Sequence, residues 1–73
     1  MYCRDITIYF KDNSVKQFKE IHQYDIYKND IIKIVLENDF VYTYSISNIE
    51  MITVTTKLDA EGTWHITNDN ILF

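Results

Sequence analysis

The stretch Ile31-Ile32-Lys33-Ile34-Val35-Leu36-Glu37-Asn38-Asp39-Phe40-Val41-Tyr42-Thr43-Tyr44-Ser45-Ile46-Ser47 decides the fold. Two runs of β-branched and aromatic residues alternate with period two on either side of an Asn-Asp pair, which is the pattern of two strands joined by a tight turn. Ile32, Ile34 and Leu36 form an inward set, and Ile31, Lys33, Val35 and Glu37 face outward. In the second run Phe40, Tyr42, Tyr44 and Ile46 share one face, with Val41, Thr43 and Ser45 opposite. Asn and Asp bond their own nearby backbone and tolerate left-handed conformations. They therefore supply the turns of a chain that has one Gly and no Pro.

The same punctuation recurs on both sides. Tyr24-Asp25-Ile26-Tyr27 leads into a turn at Lys28-Asn29-Asp30, so a hairpin precedes Ile31. Ile6-Thr7-Ile8-Tyr9-Phe10 sets Ile6, Ile8 and Phe10 on one face before a turn at Asp12-Asn13. Downstream, Ser47-Asn48 breaks the chain before Ile49 to Thr56, where Ile52, Val54 and Thr56 alternate with Met51, Thr53 and Thr55.

Residues 15–22 admit two readings. Val15, Phe18, Ile21 and His22 sit at helical spacing, and Ser14 with Gln17 fits a capping box. A four-residue turn directly after a strong strand, and the shortness of the segment, favour a strand. Lys57 to Gly62 reads as a loop, Thr63-Trp64-His65-Ile66-Thr67 as one last short strand, and Asn68-Asp69-Asn70 as the turn opening a tail. The tail ends on Ile71-Leu72-Phe73, whose apolar character predicts docking on the domain or on a second copy. The expected architecture is a single all-β domain over residues 1–73, either a small antiparallel meander or an SH3-like or Sm-like partial barrel of five to six strands. The alternative is an α+β fold with one short helix at residues 15–22.

Composition narrows the function. The net charge is −4 and Arg4 is the only arginine, which argues against a phosphate-binding surface. Tyr9, Phe40, Tyr42, Tyr44 and Trp64 are suited to base stacking, yet Lys33 is the only basic residue between Ile31 and Ser47, so nucleic-acid binding is disfavoured. Cys3 is alone, which excludes an intrachain disulfide. No apolar run approaches the about 18 residues of a membrane span. The opening Met1-Tyr2-Cys3-Arg4-Asp5 is charged where a signal peptide is apolar, so a cytoplasmic location is expected.

Spacing assigns no catalytic residue, metal site or cofactor. His22 and His65 are the only imidazoles, and no H-x-H, C-x-x-C or H-E-x-x-H spacing occurs. The acidic Asp59-Ala60-Glu61-Gly62 departs from a calcium loop, with Gly62 fourth and Asn70 in the twelfth position. What remains is surface. Tyr9, Val35 and Val41 stand opposite the inward sets and, with Trp64, are the candidate partner-binding residues; Ile71, Leu72 and Phe73 are the candidate docking or oligomer tail.

The string Ile6-Thr7-Ile8-Tyr9-Phe10-Lys11-Asp12-Asn13-Ser14-Val15, followed by Tyr42-Thr43-Tyr44-Ser45-Ile46-Ser47-Asn48-Ile49-Glu50-Met51-Ile52, resembles small β proteins of Gram-positive phages and mobile elements. Those proteins show a strand, a turn of the Asp-Gly-Ser kind and a closing Asn-Ile-x-x-Ile segment; here Asn13 stands where Gly is usual, and residues 57–73 are additional. The resemblance implies an accessory role, in some cases inhibition of a host nuclease or defence system, and transfers no functional residue. The leading expectation is a non-enzymatic protein-binding accessory protein. A structural homo-oligomer subunit, including a homodimer, and a single-stranded nucleic-acid binder using Tyr9 and Trp64 are the alternatives.

Overall fold

The computed structural model describes residues 2–73. Among these lie seven strands: β1 (Tyr2–Phe10), β2 (Val15–Phe18), β3 (Ile21–Ile26), β4 (Ile31–Leu36), β5 (Val41–Ser45), β6 (Ile49–Ala60) and β7 (Thr63–Leu72). A single 3-10 turn, Ile46–Asn48, joins β5 to β6. All pairings are antiparallel. A four-stranded sheet of order β2-β1-β6-β7 packs on a three-stranded sheet of order β3-β4-β5, and neither closes into a barrel. The fold is all-β, and no helix of the described residues is long and apolar enough to cross a membrane.

The core is almost entirely isoleucine. Ile6, Ile8, Ile49, Ile52 and Val54 from the larger sheet meet Ile21, Ile32 and Ile34 from the smaller one. β-branched side chains are stiff about χ1 and fit a pleated surface, so they lose little freedom on packing here. Full burial of each contributes about 1.5–3 kcal/mol. Aromatic residues line the rim: Phe18 of β2 lies 5.1 Å from Tyr42 and 6.1 Å from Tyr44 of β5, and Phe10 stands edge-on to Tyr44 at 5.4 Å. This seam closes one side of the sandwich between two edge strands.

The Asn/Asp turns are built as their chemistry dictates. Asn13, Asn29 and Asp39 have φ of 70°, 64° and 68°. In each hairpin the residue before the turn donates its N–H four residues on, at 2.9 Å from Phe10 to Ser14, 2.8 Å from Tyr27 to Ile31 and 2.9 Å from Leu36 to Phe40. In the first and third, a type I turn is followed by a left-handed residue, a common three-residue hairpin connection.

Residues 15–22 contain no helix, and the expected strand is divided. β2 ends at Phe18, Glu20 takes a left-handed φ of 53°, and β3 begins at Ile21 in the other sheet. Phe18 and Ile21 both reach the core because the chain changes sheets between them, and this crossing produces the helix-like spacing. Phe40 leaves the expected inward set: it is 62% exposed, and its carbonyl accepts the Leu36 amide at the end of the turn. Ile46 is buried, but from the 3-10 turn and not from a strand.

The largest departures lie beyond Thr56. The expected loop from Lys57 is strand as far as Ala60, and the turn is only Glu61-Gly62, whose φ values of 54° and 78° are those of a type I′ hairpin. The expected tail is the second half of β7, paired with β6 through Leu72. Asn68 and Asn70 are not turn residues; their side chains accept hydrogen bonds from Thr55 and Thr53 at 2.7 and 2.8 Å. These cross-strand bonds, added to the backbone ladder, outweigh the poor strand propensity of Asn.

Candidate protein-binding faces

Strand alternation and register assign each exposed residue to a face. On the outer side of the four-stranded sheet, Val15 pairs with Tyr9, Tyr9 with Met51 and Met51 with Leu72. The four form one apolar row across all four strands, with Val15 53%, Tyr9 36% and Leu72 76% exposed and Met51 half-buried. The next row is polar: Gln17, Thr7, Thr53 and Asn70. A bulge helps to seat the first row. Phe10 pairs with Ile49 and Tyr9 with Met51, which leaves Glu50 as the extra residue.

The expected partner-binding residues fall in three places. Tyr9 lies at the centre of the apolar row. Trp64, 51% exposed, pairs with Asp59 near the β6–β7 turn. A strand rise of about 3.4 Å per residue sets Met51 and Asp59 roughly 27 Å apart, so Tyr9 and Trp64 occupy opposite ends of one face. Val35 and Val41 are direct partners on β4 and β5, but on the outer side of the other sheet, facing away from Tyr9. Of the tail, Ile71 packs against the core, Leu72 completes the apolar row and Phe73 donates its N–H to the Glu50 carbonyl at 3.2 Å. Val15 and Met51 escaped the sequence reading because their membership depends on register between strands distant in the chain.

Trp64 also borders a groove of ≈ 640 Å³ lined with Tyr2, Arg4, Glu20, His22 and Glu37. Here the Arg4 guanidinium lies 5.4 and 5.5 Å from the ring centres of Tyr2 and Tyr24, and donates to the Tyr2 hydroxyl. The only arginine is thus occupied by aromatic neighbours within the chain.

Beside the groove stands the one buried charged residue among those described. Asp5 accepts the Glu20 amide at 2.9 Å on one oxygen and meets the Lys57 ammonium at 3.1 Å on the other. Burial pushes its carboxyl up, but the Glu20 amide and Lys57 outweigh this and hold it below the ordinary carboxylate value. The Asp5 hydrogen bond raises Lys57 in turn. The arrangement anchors the sheet crossing at Glu20, a structural role that sequence reasoning did not assign.

Comparison with protein-family models, with curated proteins and with solved structures finds no match to this chain. Its function is therefore read from the two outer faces and the β7 edge alone.

Proposed function

We propose that the protein is a non-enzymatic binding module that docks a protein partner on the outer face of its four-stranded sheet. The observation that carries this reading is the exposed Val15–Tyr9–Met51–Leu72 row, which is contiguous across four strands and flanked by the polar Gln17–Thr7–Thr53–Asn70 row. An exposed apolar patch bordered by hydrogen-bonding side chains marks a protein interface, and an aromatic residue such as Tyr9 is a common anchor. The resemblance to phage and mobile-element proteins supplies the finer version: an inhibitor of a host nuclease or defence protein, with the net charge of −4 favouring a basic partner.

Affinity capture from a lysate of the encoding or host cells, with wild type and Tyr9→Glu as baits, tests the reading. A carboxylate forced into the apolar centre is expected to reduce recovery of the partner by about ten-fold or more, the equivalent of at least about 1.4 kcal/mol. Recovery of no protein above background, or equal recovery by both baits, defeats the proposal.

A further inference from the structure

We propose that the uncovered edge of β7 pairs with β7 of a second copy, and that this pairing places Trp64 of one chain on the apolar row of the other. Among the edge strands β7 is the longest, at 10 residues, against 4 for β2, 6 for β3 and 5 for β5. Two of the other edges carry protective features, and β5 is half the length of β7. β2 is very short and holds Lys16, and β3 is interrupted between Ile21 and Gln23. β7 has no Lys, no Pro and no register shift against β6, and all its residues but Ile71 are exposed. A long, uninterrupted, unprotected edge is a template for strand addition.

The hairpin specifies which backbone groups are available. In a two-residue type I′ connection the residues flanking the turn, Ala60 and Thr63, are a hydrogen-bonded pair. Odd-numbered residues of β7 therefore direct their N–H and C=O groups to β6, in keeping with the bond from the Phe73 amide to Glu50. Trp64, Ile66, Asn68, Asn70 and Leu72 direct theirs away from the sheet. A two-fold antiparallel pairing that uses all five is centred on Asn68, with Trp64 opposite the partner's Leu72 and Ile66 opposite the partner's Asn70. The charges agree with this register. The only carboxylate of β7, Asp69, falls opposite the partner's Thr67, and His65 falls opposite the partner's Ile71, so no like charges face one another.

The second copy is favoured over a foreign strand because self-pairing uses all five outward backbone positions, sets Trp64 against Leu72 twice and brings no like charges together. The pairing also continues the outer face. The row becomes Val15, Tyr9, Met51, Leu72 and the partner's Trp64, and the second row gains the partner's Ile66 beside Asn70. Tyr9 and Trp64, far apart in one chain, become members of one row in the dimer. The dimer stands on the edge geometry; its use as an enlarged docking face rests on the function proposed above.

A strand edge alone buries less than the about 800 Å² per partner of a standard interface, so the dimer is expected to form over the micromolar range. Sedimentation from about 1 to 500 μM should follow a monomer–dimer equilibrium, and the backbone amides of Trp64, Ile66, Asn68, Asn70 and Leu72 should gain at least ten-fold hydrogen-exchange protection in the dimer. Asn68→Lys sets two ammonium groups opposite each other on the axis and should leave a folded monomer. Ile66→Pro, which removes an N–H directed away from β6 and keeps the Asn68–Thr55 bond, repeats the test should the first variant misfold. A monomer at all concentrations overturns the proposal, as does a dimer in which these five amides stay unprotected. Tyr9→Glu lies off the edge and should leave dimerisation intact, so loss of partner capture and loss of the dimer are separately readable.

Discussion

Asp5 joins three segments that are distant in the chain, since its two oxygens hold the Glu20 amide and the Lys57 ammonium from opposite sides. Its carboxyl is lower in the folded protein than in the unfolded chain, so it contributes stability above the ordinary carboxylate range and loses that contribution as pH falls through its folded value. Lys57, raised, contributes below the ordinary lysine range and loses it as pH rises through its own folded value. Asp5→Asn should therefore cost about 1–2 kcal/mol in urea unfolding at pH 7, with the deficit shrinking below about pH 4 as wild-type Asp5 becomes protonated. A deficit that stays constant to pH 2 contradicts the ion pair. Nothing local distinguishes Asp5 from the other ten acidic residues, because its burial is created by groups that arrive from β6 and from the sheet crossing. Asn13, Asn29 and Asp39, by contrast, were legible because a left-handed turn position is a property of the residue and its immediate neighbours.

At the scale of elements, the hairpin of β6 and β7 shows where local reading fails. Lys57, Asp59 and Glu61 look like loop because they are charged and stand beside the only Gly, yet Tyr2–Arg4 on one side and β7 on the other give residues 56–60 ladder partners. Likewise Asn68 and Asn70 lose their turn character once Thr55 and Thr53 stand across from them. The strands with a buried face, β1, β4 and β6 from Ile49 to Val54, were legible because alternation records burial directly. The Glu61-Gly62 turn still carries local conflict, since Glu61 sits at a φ of 54° that costs a non-Gly residue energy. Glu61→Asn should raise stability by about 0.5–1 kcal/mol, measured as a higher denaturation midpoint with unchanged m-value. A lower midpoint contradicts the type I′ geometry.

For the whole molecule, the two sheets differ in how their contacts are spread along the chain. The smaller sheet is built from consecutive hairpins, whereas the larger depends on β1 meeting β6 with the entire smaller sheet lying between them in sequence. Sequence reading found the hairpins of the smaller sheet for the same reason that it missed the division into two sheets: partners joined by an Asn/Asp turn leave a local signature, and the Ile8–Ile52 pairing leaves none. The distant pairing has a kinetic consequence. Closing a long loop costs entropy before any contact compensates, so the β3–β4–β5 sheet should order first and serve as the surface on which β1 and β6 condense. Ile34→Val and Ile52→Val remove the same methylene from the same core, each at a cost of about 0.5–1.5 kcal/mol. In stopped-flow chevrons the first should chiefly slow refolding and the second chiefly hasten unfolding; the opposite assignment would mean that β1 and β6 find each other first. On this order, the face that carries Tyr9 is assembled last, because Tyr9 and Met51 share a row only once β1 has met β6.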